Sequence, residues 1–366
     1  MTVHAQPASE DPTSAAAGQE QWLIFGNLFA ALSAGVLASW SAPMMLAVLY
    51  INIWLLANPH LVATYTRIGA ISSRTRLRWA LIVAAPILIL AGLTIVALAY
   101  EAAGLLALYF VLQTFHVSRQ SYGIARRHDC RLQVPCQGLP YLLIYLFPAW
   151  GYLHRSAQAA NSFLGYPIWL PPVPQELACA VGIAAVAGAV CWFACLGYAR
   201  GAKQANEPFN SFVLSHLMIS LVGYVWISDI TVGWLVVNVW HNIQYLIFVY
   251  RQRRPGALTG KSSEKSDSAS ADRRSLLEVL KPPATFFLTC SIVGAVLYAA
   301  ASRVGESLLW LGLPSVLIAH FVLNFHHYLA DSVIWKRRRA GRPDGGPLRA
   351  ETPSAAPPAP TAGGRP

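Results

Sequence analysis

Runs of about twenty apolar residues recur along most of this chain, and that hydropathy pattern limits the fold more than any short motif does. An α-helix rises 1.5 Å per residue, so roughly 20 such residues cross the ~30 Å of hydrocarbon in a bilayer. Ten runs of this kind can be marked, at about 21–40, 43–66, 79–100, 103–123, 139–155, 176–198, 210–227, 230–250, 283–302 and 307–339. The expected fold is all-α, a polytopic transmembrane bundle of about ten spanning helices. Composition agrees with this class, being 55% hydrophobic and only 12% charged, where soluble domains run nearer a quarter charged.

The remaining segments set the domain limits. Residues 1–20, rich in Ala, Ser, Glu and Gln, are expected to be disordered, with no basic n-region or cleavage signature of a signal peptide. Helices one to eight fill 21–250. A charged, Ser-rich cytoplasmic linker covers 251–282, helices nine and ten cover 283–339, and a Pro-, Gly- and Ala-rich tail covers 340–366. No sequence repeat stands out.

A formal charge of +11 invites comparison with nucleic-acid binders. Its distribution argues against that class, because Lys and Arg collect at the ends of apolar runs, with no basic groove of interleaved aromatics. With both termini cytoplasmic, the basic links at 67–78, 121–138, 199–209 and 251–282 and the tail all fall inside, as the positive-inside rule requires. The expected location is a bacterial inner membrane. Six cysteines give no framework: Cys179, Cys191, Cys195 and Cys290 read as small packing residues in apolar runs. Cys130 and Cys136 share a loop assigned to the reducing side, where a disulfide is not expected.

The last run, SLLWLGLPSVLIAHFVLNFHHYLADSVIWKRRR, carries His320, Asn324, His326, His327 and Asp331. His320, Asn324, His327 and Asp331 have the spacing of one helix face, a polar stripe on an apolar rod. Polar groups inside a membrane are costly, face the bundle interior and mark functional sites. Runs two, four, eight and ten all descend towards the cytoplasm, and His60, His116, His241 and His327 each precede a basic cluster by about seven to eleven residues. That is roughly 10–16 Å above the inner boundary, so four helices place imidazoles in one layer.

Imidazoles from separate helices suit Fe, Cu or Zn without any local signature. Candidate metal ligands are His60, His116, His241, His320, His326 and His327; adjacent His326 and His327 point about 100° apart, and spacing does not choose between them. Asn58, Gln120, Asn238, Tyr245 and Asp331 are placed to orient the rings. Arg119 can pair with Asp331 or hold an anionic substrate group. Arg119, Tyr245 and Asp331 complete the catalytic set. A structural role remains open, since a lone membrane histidine is commonly an interhelical hydrogen-bonding group. His216 falls at a comparable level, and His128 and His154 read as interfacial residues.

The segments FHVSRQSYG (115–123), WHNIQYL (240–246) and NFHHYLADSVIW (324–335) resemble those of a bacterial family of multi-pass membrane proteins. In style they are also similar to histidine-motif membrane oxygenases, the fatty-acid desaturase and hydroxylase group and the bacterial carotene-cleaving dioxygenases. That resemblance implies iron held by histidines and oxidation of a lipid or isoprenoid, with a bilayer-borne substrate and an electron donor as partners. The sequence departs from the desaturase pattern in lacking any H-x-x-H-H box. Two alternatives use the same polar residues. One is a proton-coupled transporter, suggested by Pro59 and Pro314 as helix interruptions; the other is a haem-bearing electron carrier.

Overall fold

The computed structural model describes residues 12–68, 75–128, 136, 138–201, 206–251 and 282–334. They are almost entirely helical. The helices are α1 (Pro12–Trp40), α2 (Ala42–Ile51), α3 (Asn58–Ile68), α4 (Thr75–Trp79), α5 (Ala85–His128), α6 (Leu139–Ala157), α7 (Gln175–Gly201), α8 (Glu207–Leu221), α9 (Ile230–Arg251), α10 (Pro283–Ser307) and α11 (Ser315–Ile334). One two-residue hairpin, β1 (Ser162–Phe163) with β2 (Tyr166–Pro167), joins α6 to α7. Most of the linker and all of the tail expected over 251–282 and 340–366 lie outside the described residues, and α1 begins upstream of the boundary at residue 21.

Among the described residues, seven elements are long and apolar enough to cross a membrane: Glu20–Trp40, Ala42–Arg67, Arg76–His128, Gln175–Gly201, Glu207–Trp226, Ile230–Arg251 and Pro283–Ser307. The distribution of side chains is that of a protein in lipid. Trp22, Phe29, Leu88, Ile95, Ile183, Val190 and Val296 lie on the outside, while Asn27, Asn52, Asn58, Gln113 and Asn242 are buried. Water would penalise such a surface, and hydrocarbon favours it.

The element Arg76–His128 has 53 residues, far more than one crossing needs. Glu101 interrupts α5 with φ 55° and ψ −152°. Leu81 and His116, on either side of that break, both touch neighbouring residues of α11: the Leu81 carbonyl meets His326, and the His116 ring lies 4.9 Å from His327. In a straight rod they would be about 50 Å apart. The element is a helical hairpin that turns at Glu101.

Two prolines are absorbed rather than allowed to break their helices. Residues Asn52–Ala57 and Ala80–Ala84 form π-turns, just ahead of Pro59 and Pro86. The wider turn relieves the clash between a proline ring and the carbonyl four residues back. Chain direction is therefore kept from Ala42 to Ile68, contrary to the interruption expected at Pro59. At Ala80–Ala84, Ala85 donates to the Ala80 carbonyl, and the next donor in that register would be Pro86, which has none. The Leu81 carbonyl is thereby released for a side chain. Pro314 acts differently: Gly312 adopts φ 70° after the short 3-10 turn Leu309–Leu311, and α11 starts at Ser315. The described part of that stretch, 307–334, is thus a turn followed by a helix.

A third π-turn, Val222–Trp226, ends α8. Its terminal carbonyls are met by buried Arg155, whose Nη1 donates to Ser228 O at 2.8 Å and whose Nη2 donates to Gly223 O at 3.2 Å and to Ile227 O. A guanidinium at a helix C-terminus satisfies orphan acceptors and the dipole together. Gly223 and Gly233 let α8 and α9 touch backbone to backbone at this end. Cys136 and Cys195 are joined in a disulfide across a sequence separation of 59. This corrects the reading of Cys195 as packing alone, and proximity of the loop to α7 is the reason. Cys130 lies outside the described residues.

Candidate metal centre

The tenth run supplies one face of the site. His327 and Asp331, one turn apart on α11, are both buried and point the same way. His60 comes from α3, one residue after Pro59, His116 from the second limb of α5, and His241 from the middle of α9. None of these five exposes more than 6% of its surface. One ligand atom from each of His60, His116, His327 and Asp331 can be chosen so that all lie within 4.8 Å of one another.

The rings pack closely. His60 Nε2 and His327 Nε2 are 2.9 Å apart. The His241 ring centroid lies 4.8 Å from that of His60 and 5.1 Å from that of His116. His60 stacks on Tyr245 at 4.2 Å, and His116 stacks on Tyr328 at 4.1 Å. These aromatic faces fix ring orientation, which spacing along a helix leaves undefined.

Asp331 is anchored as well. Tyr245 donates to its Oδ1 at 2.5 Å and Thr64 donates to the same oxygen at 3.0 Å, the two hydroxyls being 2.7 Å apart. Oδ2 faces the His327 Nε2 at 4.0 Å. The carboxylate therefore keeps one oxygen in hydrogen bonds and turns the other towards the imidazoles. Thr64 lies one helical turn beyond His60, and that i, i+4 spacing is the sequence signal that places it on the same face.

The donor set fits a transition-metal ion. Imidazole and carboxylate suit iron, zinc, copper or manganese. Nitrogens bonded at about 2.0–2.1 Å to one ion in cis octahedral positions lie about 3.0 Å apart, close to the His60–His327 separation. The buried His60 Nδ1, His116 Nε2, His241 Nδ1 and His327 Nδ1 make no protein hydrogen bond. Buried polar atoms are seldom left so; since the Nε2 atoms of His60 and His327 face each other, the unmet Nδ1 atoms of these two rings lie on their far sides.

The other candidates lie elsewhere. His326 donates from Nε2 to the released Leu81 carbonyl at 2.8 Å and meets Tyr65 OH through Nδ1 at 2.9 Å; both its nitrogens are used in holding α11 to α3 and the Arg76–His128 hairpin. His320 is engaged with Ser302 Oγ at 2.9 Å and lies beside Tyr298. Exposed Arg119 reaches Tyr145 OH at 3.4 Å and covers Tyr122, so it pairs with these rings rather than with Asp331. His216 donates to Ile144 O at 2.9 Å, and Asn238 donates to Trp234 O within its own helix.

Comparison with known protein families, curated proteins and solved structures finds no match to this chain.

Proposed function

We propose that this protein is an integral membrane metalloenzyme, an iron-dependent oxidoreductase acting on a lipid or isoprenoid-like substrate. The observation that carries the reading is the convergence of His60, His116, His327 and Asp331 within 4.8 Å, with His241 packed against two of the rings. Bound iron would supply oxygen and redox chemistry. The chain's own part is to hold that ion and to keep bulk water from it. Neutral imidazoles and one carboxylate are an iron-type donor set, and the buried shell excludes bulk water from reactive intermediates. Tyr245 and Thr64 hold Asp331 in place and give it a proton source through hydroxyls 2.7 Å apart.

Ten crossings belong to the same proposal. Seven elements meet the length and hydropathy requirement, the Arg76–His128 hairpin supplies two limbs, and α6 and α11 add helices of 19 and 20 residues. Both termini then face the cytoplasm of a bacterial inner membrane, the basic links lie inside, and the histidine layer lies near the inner leaflet.

Haem is disfavoured by the tight packing of His60, His116 and His327, whose ring centroids lie between 4.7 and 6.4 Å apart, since a macrocycle needs a flat slot between its ligands. A proton-coupled carrier has one supporting observation, the π-turn Asn52–Ala57 immediately ahead of His60, because irregular helices often occur at transport sites. Metal analysis of purified wild-type protein tests the leading reading: about one transition-metal ion per chain supports it. Folded protein without metal after iron supplementation contradicts it. Liposome flux of protons or solute by that metal-free protein would favour the carrier.

A further inference from the structure

A second polar feature lies outside the histidine cluster. An open-mouthed cavity of about 360 Å³ is lined by α1, α5, α8 and α9. Its rim is charged, with Glu20 accepting from Arg251 at 3.3 Å and lying 3.6 Å from His128 Nδ1. Its inner end is formed by Asn27, Ser215 and Trp240. Eleven positions along α9 separate Trp240 from Arg251, so the cavity runs about 16 Å into the bundle.

Two amide oxygens at and near the inner end are left unmet. Asn27 Nδ2 donates to the Trp240 carbonyl at 2.9 Å, which fixes the amide orientation and leaves Oδ1 as the free atom. That Oδ1 is buried without a hydrogen-bond partner, and so is Oε1 of Gln244, one turn nearer the rim. The Trp240 indole N–H is already used, donating to Ser215 Oγ at 2.7 Å. Buried polar groups are rarely left unmet. What completes them must bring hydroxyl or N–H donors. Trp240, Phe212 and Phe248 are among the lining residues and make that wall aromatic.

We propose that this cavity binds the ring of a membrane-soluble hydroquinone, with one hydroxyl donating to Asn27 Oδ1 and the other towards Gln244 Oε1. Trp240, in the cavity lining, immediately precedes His241 of the histidine cluster on α9. A hydroquinone carries two electrons and two protons and belongs to the class of donor that the proposed oxidoreductase requires; that role rests on the metalloenzyme reading, whereas the binding does not.

The experiment is calorimetric titration of detergent-solubilised full-length protein, metal-loaded and metal-stripped, with a short-chain alkyl hydroquinone and with its dimethyl ether. The ether has the same ring and tail but no O–H donors. The expected result is saturable binding of the hydroquinone to both protein forms, with the ether at least about ten-fold weaker, and Asn27→Leu reducing the hydroquinone to the level of the ether. Equal affinity for both ligands, no binding of either, or a folded Asn27→Leu protein that still discriminates would overturn it. The ligand comparison uses wild-type protein, so it stands even where the variant fails to fold. Metal content is measured separately, so a failed metal assay and a failed titration are distinct results.

Discussion

His60 Nε2 and His327 Nε2 face each other at 2.9 Å across a sequence separation of 267. At that distance one of the two nitrogens carries a proton and donates it to the other. On the proposed metalloenzyme reading, a bound ion would replace that shared proton and be held by both nitrogens.

Tyr245 and Thr64 hold Asp331 from behind, through the same carboxylate oxygen. Outer hydrogen-bonding partners of metal ligands are worth about 10–100-fold in metal affinity. Tyr245→Phe and Thr64→Val are expected to weaken metal binding by that order while leaving helix content unchanged. Competition with a chromophoric chelator measures it; unchanged affinity in both variants would remove their proposed role.

His326 serves the fold, with both ring nitrogens in hydrogen bonds. His326→Leu strands the Leu81 carbonyl and the Tyr65 hydroxyl, a loss of about 1–3 kcal/mol for a buried unmet group. The expected outcome is a lower thermal midpoint in detergent with normal metal stoichiometry. Loss of metal with unchanged midpoint would place His326, rather than His327, at the centre.

Metal binding requires unprotonated imidazoles, and three of them are proposed to ligate. A proton on a ring nitrogen blocks coordination, so binding is complete once the ligating rings are unprotonated and is lost as pH falls far enough to protonate them. Equilibrium dialysis across a descending pH series is expected to show a steep loss on the acid side, with more than one proton taken up per ion released. A flat profile would mean that the histidines are not ligands.

The Cys136–Cys195 disulfide lies at the end of the bundle that the positive-inside rule assigns to the cytoplasm, where glutathione reduces such pairs, so in cells the two residues are expected as thiols. Alkylation of intact cells with a membrane-permeant maleimide, after quenching, is expected to label both thiols. Protection of both until a reductant is added would reverse the proposed orientation of the membrane region.

How much of this could be read in the sequence follows from which physical rules are local. Rise per residue is fixed, so counting back from basic clusters placed His60, His116, His241 and His327 at one depth, and the structure brings those four rings together. The i, i+4 stripe likewise put His327 and Asp331 on one face. Facing direction was less legible. The choice between His326 and His327 depended on a carbonyl released by Pro86, distant in sequence and visible only once the π-turn at Ala80–Ala84 exists. Pro59 suggested a broken helix because the compensating π-turn has no sequence signature. Cys136 and Cys195 met through packing of α7 against the approach to α6, which periodicity does not encode. Arg119 was near enough in sequence to His116 to suggest partnership, yet its position on the helix turns it outwards to Tyr145.

Element-resolved X-ray absorption on purified wild-type protein, beside His60→Ala and His327→Ala, addresses the metal centre most directly. The account predicts about one transition-metal ion per wild-type chain, with nitrogen and oxygen neighbours at about 2.0–2.2 Å, an imidazole scattering signature, and its loss from both folded variants. A wild-type protein that folds, binds no stoichiometric metal at neutral pH, and behaves identically to the two variants would contradict it.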